Sequence, residues 1–467
     1  MIRITWLLVM SAALGGCVTE MSNGPVAEIT QAEIGLIPTP VSTDVDLQHI
    51  SERTRVLLRK PLSAEASVEI ALLNNRSLQA SYNELGLAQA ALIRGSFPAN
   101  PRFGISRLSS SGELELEREV LVGIFSVISL PARAARSQEE YSAAQLRAAE
   151  AVLRLAVDVR RQYYRAVAAN EQVAILTEAK KLTDTQADIA KKLRETGSLN
   201  KLEQTREFIL AAEFDNQLAR ARLNQRIERE RLVRLLGLWG SDVDFKLPAT
   251  LPPLPTKLRV LEAIEAQALT RRVDLAAQKH ELEALAVTLG LTNATRFITD
   301  IELVGRNKDV KDRLNGTSTH SRGIGLEFEI PLFDFGAARS LESEQRYMRA
   351  VNLLADQAIR VRSEAREAYL VYHGTWDVAR HFQKTILPLQ QDIQNEMLLH
   401  YNGMLKDLSS LIADTRATVL VRMQAIDARR DFWIAENEMR AALTGGGSGT
   451  STVSSGGLAA SKTADAH

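Results

Sequence analysis

Apolar residues recur along the chain at two spacings, which together predict long helices separated by short strands. Residues 64–95 carry apolar side chains three and four positions apart, the spacing of one helical face. Residues 132–196 contain neither Gly nor Pro and keep the same spacing, so a long helix is expected there. Gly197 should end that helix, and a return helix should run to about Leu236.

Two pairs of strands are predicted between these helices. The first pair lies at 101–109 and 113–130, and the second pair lies at 298–306 and 321–332. In 321–332 apolar residues alternate with Gly and Glu, which is the pattern of a strand with two different faces. The remaining helices are expected at 259–292, from Gly336 to about His400, and from Gly403 to about Leu443. The second of these should be interrupted at Gly374 and Pro388, and Pro388 should kink it or change its register.

The order of these elements repeats, and so do scattered residues. Ala71 matches Ala268 at a shift of 197; Ala134–Ser137 matches Ala337–Ser340 at 203; Tyr163 and Gly197 match Tyr369 and Gly403 at 206. A slowly growing shift is what small insertions in collinear repeats produce. The chain is therefore expected to contain two copies of one unit, at 61–237 and 259–443.

Three segments lie outside the two copies. Residues 17–60 are interpreted as an irregular leader. Residues 238–258 hold four prolines and are predicted to form a stiff linker. Residues 444–467 are rich in Gly, Ser and Thr and are predicted to be a disordered tail.

The N-terminus has the layout of a secretory signal peptide at 1–16. Arg3 supplies a positive charge, the apolar run Ile4–Leu14 follows, and Leu14-Gly15-Gly16 precedes the single cysteine of the chain, Cys17. This ending resembles a bacterial lipobox, which makes Cys17 the predicted lipid attachment site. The alternative is an ordinary signal peptide with an incidental cysteine.

The composition of the chain argues against several classes of protein. Lys+Arg and Asp+Glu both number 57, so the chain lacks the basic excess typical of nucleic-acid binders. One cysteine excludes a disulfide framework within the chain. After the signal peptide no apolar run reaches 18 residues, so any further membrane insertion is expected to use β-strands.

No pattern indicates catalysis. The sequence contains no P-loop, no Gly-x-Ser-x-Gly and no dinucleotide-binding fingerprint. The seven histidines show no His-x-x-x-His pair, and His373 and His381 lack a third ligand nearby in sequence. We therefore expect no enzyme activity, no cofactor and no metal site.

The predicted strands can be transmembrane strands or water-soluble hairpins. Four strands cannot close a barrel, and open strand edges are not tolerated in hydrocarbon. If the strands are membranous the chain must assemble, and three chains would give twelve strands with room for a lumen. The alternative is a periplasmic coiled-coil scaffold lipoprotein without a pore.

Taken together, Cys17, the two copies, and the turns at Gly197-Ser198-Leu199 and Gly403-Met404-Leu405 resemble the TolC-like outer-membrane factors of tripartite efflux. The lipidated OprM-like and CusC-like members are closest in layout. The resemblance implies a mainly α fold with a small β part, whose strands at 98–130 and 298–333 would form a twelve-stranded β-barrel in a homotrimer. It also implies a helical barrel across the periplasm, an outer-membrane location, a passive duct function, and an adaptor and an inner-membrane pump as partners.

The resemblance also suggests where partners and the gate would lie. The expected tip and adaptor-contact residues are Gly197, Leu199, Leu202, Gly403, Leu405 and Leu408, for which helix packing is the alternative role. Family members often carry acids six and nine positions after the second tip glycine, but here those positions are Ser409 and Ile412. The remaining gate candidates are Glu203, Asp407 and Asp414, for which a solvated helix surface is the alternative.

Overall fold

The computed structural model describes residues 24–38, 43–403, 405–406 and 408–447. The predicted signal peptide, Cys17 and most of the predicted tail lie outside these residues. Among the described residues, no helix is long and apolar enough to cross a membrane.

Helices account for most of the described chain. They are α1 (Gly24–Ile34), α2 (Asp44–Leu58), α3 (Ala64–Asn74), α4 (Arg76–Gly95), α5 (Ile124–Ile128), α6 (Leu130–Glu195), α7 (Lys201–Leu236), α8 (Ile264–Arg271), α9 (Val273–Ala294), α10 (Ala337–His381), α11 (Leu387–Asn402) and α12 (Leu408–Thr444). A 3₁₀ turn lies at Gly240–Val243 and a π-helical turn at Phe382–Ile386. The strands are β1 (Arg102–Ser109), β2 (Glu113–Gly123), β3 (Asp300–Asp312) and β4 (Ser318–Glu329). The predicted fold class, mainly α with four strands, is confirmed.

The four strands form one antiparallel sheet in the order β1-β2-β3-β4. Two strand ends differ most from the sequence prediction. The strand predicted at 113–130 ends at Gly123, where the chain turns into α5. The strand predicted at 298–306 extends to Asp312, because cross-strand ion pairs satisfy a charged segment that hydropathy alone does not favour as a strand.

Each helix predicted before a strand pair is in fact two helices. The helix expected at 64–95 breaks at Asn75, and the helix expected at 259–292 begins at Ile264 and breaks at Arg272. Asn75 has φ −70° and ψ 112°, and Arg272 has φ −68° and ψ 120°. Two equivalent breaks with nearly equal dihedrals, at the same shift of 197, support the duplication.

The leader and Gly374 also depart from expectation. The described part of the leader is helical, in α1 and α2, and Thr43 caps α2 in a reciprocal capping box with Asp46. Gly374 lies inside α10 without interrupting it. Pro388, by contrast, lies two residues after the end of the π-helical turn, so the predicted register change is confirmed.

The chain divides into two compact units, and each unit contains segments of both copies. Among the described residues, the first unit holds 24–38, 76–152 and 273–359, and the second unit holds the remainder. The first unit contains the sheet, the helices α1, α4, α5 and α9, and parts of α6 and α10.

The second unit has the larger apolar core. One cluster contains Leu176, Leu210, Phe214, Leu218, Ile412 and Val419. Another surrounds Phe432, which is fully buried and stacks against Tyr372 with ring centroids 5.7 Å apart. Tyr163 is also buried and donates a hydrogen bond to the Leu62 carbonyl (3.0 Å); burial raises its pKa to about 12. The first of these clusters joins helices of both predicted copies.

The segment 238–258 is irregular apart from its 3₁₀ turn, and it packs on the helices of the second unit. The Leu251 side chain is buried, and its backbone N–H donates to Glu171 Oε2 (2.9 Å). The indole nitrogens of Trp433 and Trp376 donate to the carbonyls of Pro252 and Pro255 at 3.0 and 3.2 Å. These proline carbonyls therefore serve as acceptors for half-buried indole groups.

Candidate functional site: a two-faced sheet and two helical tips

The register of the sheet sorts its side chains into two different faces. In an antiparallel pair, residues opposite each other point to the same side. Glu119 of β2 lies opposite Arg306 of β3, whereas the adjacent Val120 lies opposite Gly305. One face is therefore charged and the other face is largely apolar over half of its length.

The charged face is held together by cross-strand ion pairs. Arg306 donates to Glu119 of β2 and to Glu327 of β4, both at 2.9 Å. Lys308 pairs with Glu115 on the same face, and Arg102 pairs with Glu302. Exposed pairs of this kind contribute little stability each, but they hold charged groups of both signs along one side of the sheet.

The opposite face exposes apolar side chains at the end of the sheet nearest the helices. Phe103, Ile105, Ile324, Leu326 and Phe328 are between 55% and 86% exposed. An apolar surface this continuous marks a contact with lipid or with another protein. Toward the hairpin ends the face becomes polar: Asp309 accepts hydrogen bonds from Arg118 (3.1 Å) and lies 2.5 Å from His320 Nδ1.

Exposed phenylalanines lie in the short connections between the sheet and the helices. Phe97 precedes β1, Phe297 precedes β3, and Phe333 and Phe335 follow β4; all four are between 46% and 104% exposed. Aromatic side chains at this position are typical of the girdle that borders the apolar band of a transmembrane β-barrel.

Both edges of the sheet are open. Among the described residues, β1 pairs only with β2 and β4 pairs only with β3. Each edge thus presents a row of backbone N–H and C=O groups that can accept another strand.

In the same unit, α4, α6, α9 and α10 border an open groove of about 770 Å³. Its walls carry charged side chains that are paired with each other, such as Arg136 with Glu140 and Arg147 with Glu281. The groove offers a polar surface with both signs of charge.

The first tip, between α6 and α7, contains three of the predicted tip residues. Gly197 has a left-handed backbone (φ 78°), and the Ser198 N–H donates to the Leu193 carbonyl (2.9 Å), which closes the end of α6. Leu199 is half-buried and Leu202 is 61% exposed. Glu203, a gate candidate, forms a capping box with Asn200 at the start of α7.

The second tip, between α11 and α12, is built differently. Gly403 has an ordinary φ of −79°, and its N–H donates to the Leu399 carbonyl (2.9 Å). Leu405 is 71% exposed. Leu408 begins α12, whereas its side chain and all of Asp407 lie outside the described part of the chain.

Asp414 is not on a solvated surface, contrary to the alternative considered for it. Its side chain is buried and accepts a hydrogen bond from Gln390 Nε2 (3.1 Å), and burial raises its pKa.

Glu207 on α7 is also buried, and neither carboxylate oxygen has a hydrogen-bond partner among the described residues. Burial raises the pKa of Glu207 as well. Sequence inspection had not singled out Glu207, because helical periodicity does not distinguish it from the exposed acids around it.

Sequence inspection also missed a cluster in the first unit. Glu139 of α6 lies beside His280 and Glu283 of α9, and one potential ligand atom of each lies within 4.8 Å of the other two. The spacing His-x-x-Glu at 280–283 was a local signal, but Glu139 is distant in sequence and only the fold brings it close.

No protein-family model matches the sequence, and no curated protein sequence matches it. Solved structures do match the fold. The outer-membrane channel OprN superposes with a TM-score of 0.68 at 16% identity, covering 89% of this chain and 95% of OprN. The CmeC outer-membrane channel of Campylobacter jejuni gives 0.67 at 14% identity, covering 89% and 91%.

CusC, whose structures describe folding and transmembrane channel formation, gives a TM-score of 0.67 at 18% identity, covering 81% of this chain and 91% of CusC. At these identities the likeness establishes the fold. The chain therefore has the fold of the outer-membrane channel proteins, as its resemblance to the TolC-like outer-membrane factors predicted.

Proposed function

We propose that this chain is one protomer of a trimeric outer-membrane channel, a passive exit duct of a tripartite efflux or secretion system. The observation that carries the proposal is the sheet, which has two unlike faces and two open edges. A closed barrel places such an apolar face toward lipid and such a charged face toward a lumen.

Closure sets the number of chains. Four strands per protomer require β1 of one protomer to pair with β4 of its neighbour, and three protomers give the smallest barrel with room for solutes. In this assembly the helical segments would line a duct on the periplasmic side. Gly197, Leu199, Leu202, Gly403, Leu405 and Leu408 would lie at the tips, where an adaptor protein would dock.

Two further parts of the proposal rest on sequence. Cys17 would carry the lipid that anchors the protein to the outer membrane, and Cys17→Ser should abolish labelling by a fatty-acid probe. Energy would come from an inner-membrane pump, in keeping with a chain that has no catalytic motif of its own.

Cross-linking between edge strands tests the assembly most directly. Ser106 of β1 and Ser321 of β4 lie on the charged face. Thr319 and Gly323, two positions before and after Ser321 on β4, lie on the same face. Chains carrying Ser106→Cys with Ser321→Cys, or with a cysteine at either neighbour, should form disulfide-linked dimers and trimers in outer membranes. Ser106→Cys alone is the control and should stay monomeric on denaturing gels.

Conductance tests the duct. The purified protein should form a heat-modifiable oligomer and produce discrete conductance steps in planar bilayers. A monomer in detergent that gives no conductance and no edge-to-edge cross-links would contradict the proposal and favour the scaffold without a pore.

A further inference from the structure

The Glu139–His280–Glu283 cluster lies on two neighbouring helices of the first unit, α6 and α9. Glu139 Oε2 is 2.6 Å from His280 Nδ1, and Glu283 Oε2 is 3.8 Å from the same nitrogen. One ligand atom from each of the three residues lies within 4.8 Å of the other two.

These donors have the chemistry and nearly the spacing of a metal site. One imidazole and two carboxylates are ligands that Zn²⁺ and other first-row divalent cations accept in proteins. Donors bound at about 2.1 Å in tetrahedral or octahedral geometry lie about 3.0–3.4 Å apart. The two distances at His280 bracket this interval, so small side-chain rotations would bring both carboxylates to a common ion.

The surroundings favour an ion over a simple hydrogen bond between Glu139 and His280. Neighbouring acids on the same helices have arginine partners: Glu140 pairs with Arg136 and Glu281 pairs with Arg147. Among the described residues, Glu139 and Glu283 pair with no Arg or Lys. Two carboxylates facing one imidazole therefore leave an excess of negative charge, which a divalent cation would neutralise.

Access also fits. The Glu283 side chain is 63% exposed, whereas those of Glu139 and His280 are 28% and 37% exposed. An ion could enter from the Glu283 side and keep a water molecule in the remaining position, as in zinc sites with three protein ligands. His280 and Glu283, three positions apart on one helix, point the same way.

We propose that Glu139, His280 and Glu283 bind one divalent transition-metal ion, with Zn²⁺ the favoured occupant. The ion would join α6 of the first copy to α9 of the second copy within a single protomer. Its role would be structural, since an ion that binds only the folded state stabilises that state. The inference is independent of what the chain transports.

Zinc titration of the purified full chain, stripped of metal and free of any polyhistidine tag, tests this site. Isothermal titration with Zn²⁺ alone should give one ion per chain with micromolar or tighter affinity, and Zn²⁺ should raise the thermal unfolding midpoint. His280→Ala and Glu139→Gln should each weaken binding at least tenfold and remove the rise. Glu140→Gln and His49→Ala are the controls and should bind like the wild type; His49 is an exposed histidine on α2 of the second unit.

Glu283→Gln keeps the test decisive if His280→Ala fails to fold, because Glu283 is exposed and should tolerate substitution. It should weaken Zn²⁺ binding about tenfold while leaving the circular dichroism spectrum unchanged. Binding only at millimolar Zn²⁺, or binding that survives both Glu139→Gln and Glu283→Gln, would overturn the assignment.

Discussion

One helical hairpin consists of α6 and α7, and the other consists of α10, α11 and α12. The two occupy equivalent places in the predicted repeats, yet their backbones differ. In the first copy α6 runs without a break from Leu130 to Glu195. In the second copy the equivalent path is α10, a π-helical turn at Phe382–Ile386, and α11. The extra residue in the π turn lies immediately before Leu387-Pro388, so the second hairpin absorbs a proline that the first hairpin lacks.

The tips differ in the same way. Gly197 adopts a left-handed conformation that favours glycine, whereas Gly403, at the matching repeat position, does not. Residues at matching positions of the predicted repeats therefore need not adopt the same backbone conformation. The order of helices and strands is the same in the two predicted copies, whereas the turn at the tip and the continuity of the long helix differ.

The largest expected effect comes from placing the proline of the second hairpin in the first. Leu182 matches Pro388 at the shift of 206. The Leu182 side chain is 45% exposed, so removing it should lower the free energy of unfolding only slightly. Leu182→Pro should destabilise the protein by about 3 kcal/mol or more, because the proline ring would clash with the Glu178 carbonyl inside a regular helix. Thermal unfolding followed by circular dichroism measures this, with Leu182→Ala as the control. An unchanged midpoint would mean that α6 bends as readily as α10.

The tip glycines should respond unequally to the same substitution. Gly197→Ala should cost about 1–2 kcal/mol, because a Cβ at φ 78° is strained even though open space surrounds it. Gly403→Ala should be close to neutral: its added Cβ would sit 3.4 Å from the Leu399 carbonyl oxygen at an ordinary φ. Urea unfolding of the two variants side by side measures the difference, and equal losses would contradict the distinction between the tips.

The buried acids of the two hairpins should differ in their pH dependence. Burial raises the pKa of the Glu207 carboxyl above its unfolded value, so the contribution of this group to stability is greatest below the unfolded pKa and is lost as the pH rises through the folded pKa. Glu207→Gln cannot ionise and should be about 1 kcal/mol more stable than the wild type at pH 7.5, with the gain disappearing near pH 4.

Asp414→Asn is the matched comparison for Glu207→Gln. The pKa of Asp414 is also raised by burial, but its carboxyl group accepts a hydrogen bond from Gln390. Its gain at pH 7.5 should therefore be smaller. Unfolding midpoints at pH 4 and pH 7.5 decide the matter; a Glu207→Gln effect that does not change with pH would show that its carboxyl group is not the cause.

The smallest effect is expected at Pro388 itself. Because the π turn already accommodates the proline, Pro388→Ala should change the free energy of unfolding by less than about 0.5 kcal/mol. A loss of several kcal/mol would mean that the proline holds the π turn in place rather than being tolerated by it.

Local sequence patterns made much of this fold predictable. The alternation in 321–332 and the absence of Gly and Pro between Ala132 and Thr196 each depend only on neighbouring residues, and both predictions are confirmed with small shifts in their bounds. Gly197 was also identifiable as a helix end, because few other residues adopt its backbone conformation.

The features that were missed depend on contacts distant in sequence. Asn75 carries no helix-breaking signal, yet its side chain donates to the Leu235 carbonyl (3.0 Å), a contact that helical periodicity cannot reveal. The charged end of β3 is a strand because Glu115 of β2 pairs with Lys308. The burial of Glu207 and the approach of Glu139 to His280 likewise exist only once the helices are packed.

The two open edges of the sheet have a genetic consequence. In the proposed trimer every protomer must supply a β1 strand and a β4 strand that can each pair with a neighbouring protomer, since both pairings are needed to close the barrel. A gene copy whose product cannot pair at β4, expressed equally with the wild-type copy, would leave about one trimer in eight free of defective chains. Mutations at these edges should therefore be dominant, whereas mutations that merely unfold the chain should be recessive.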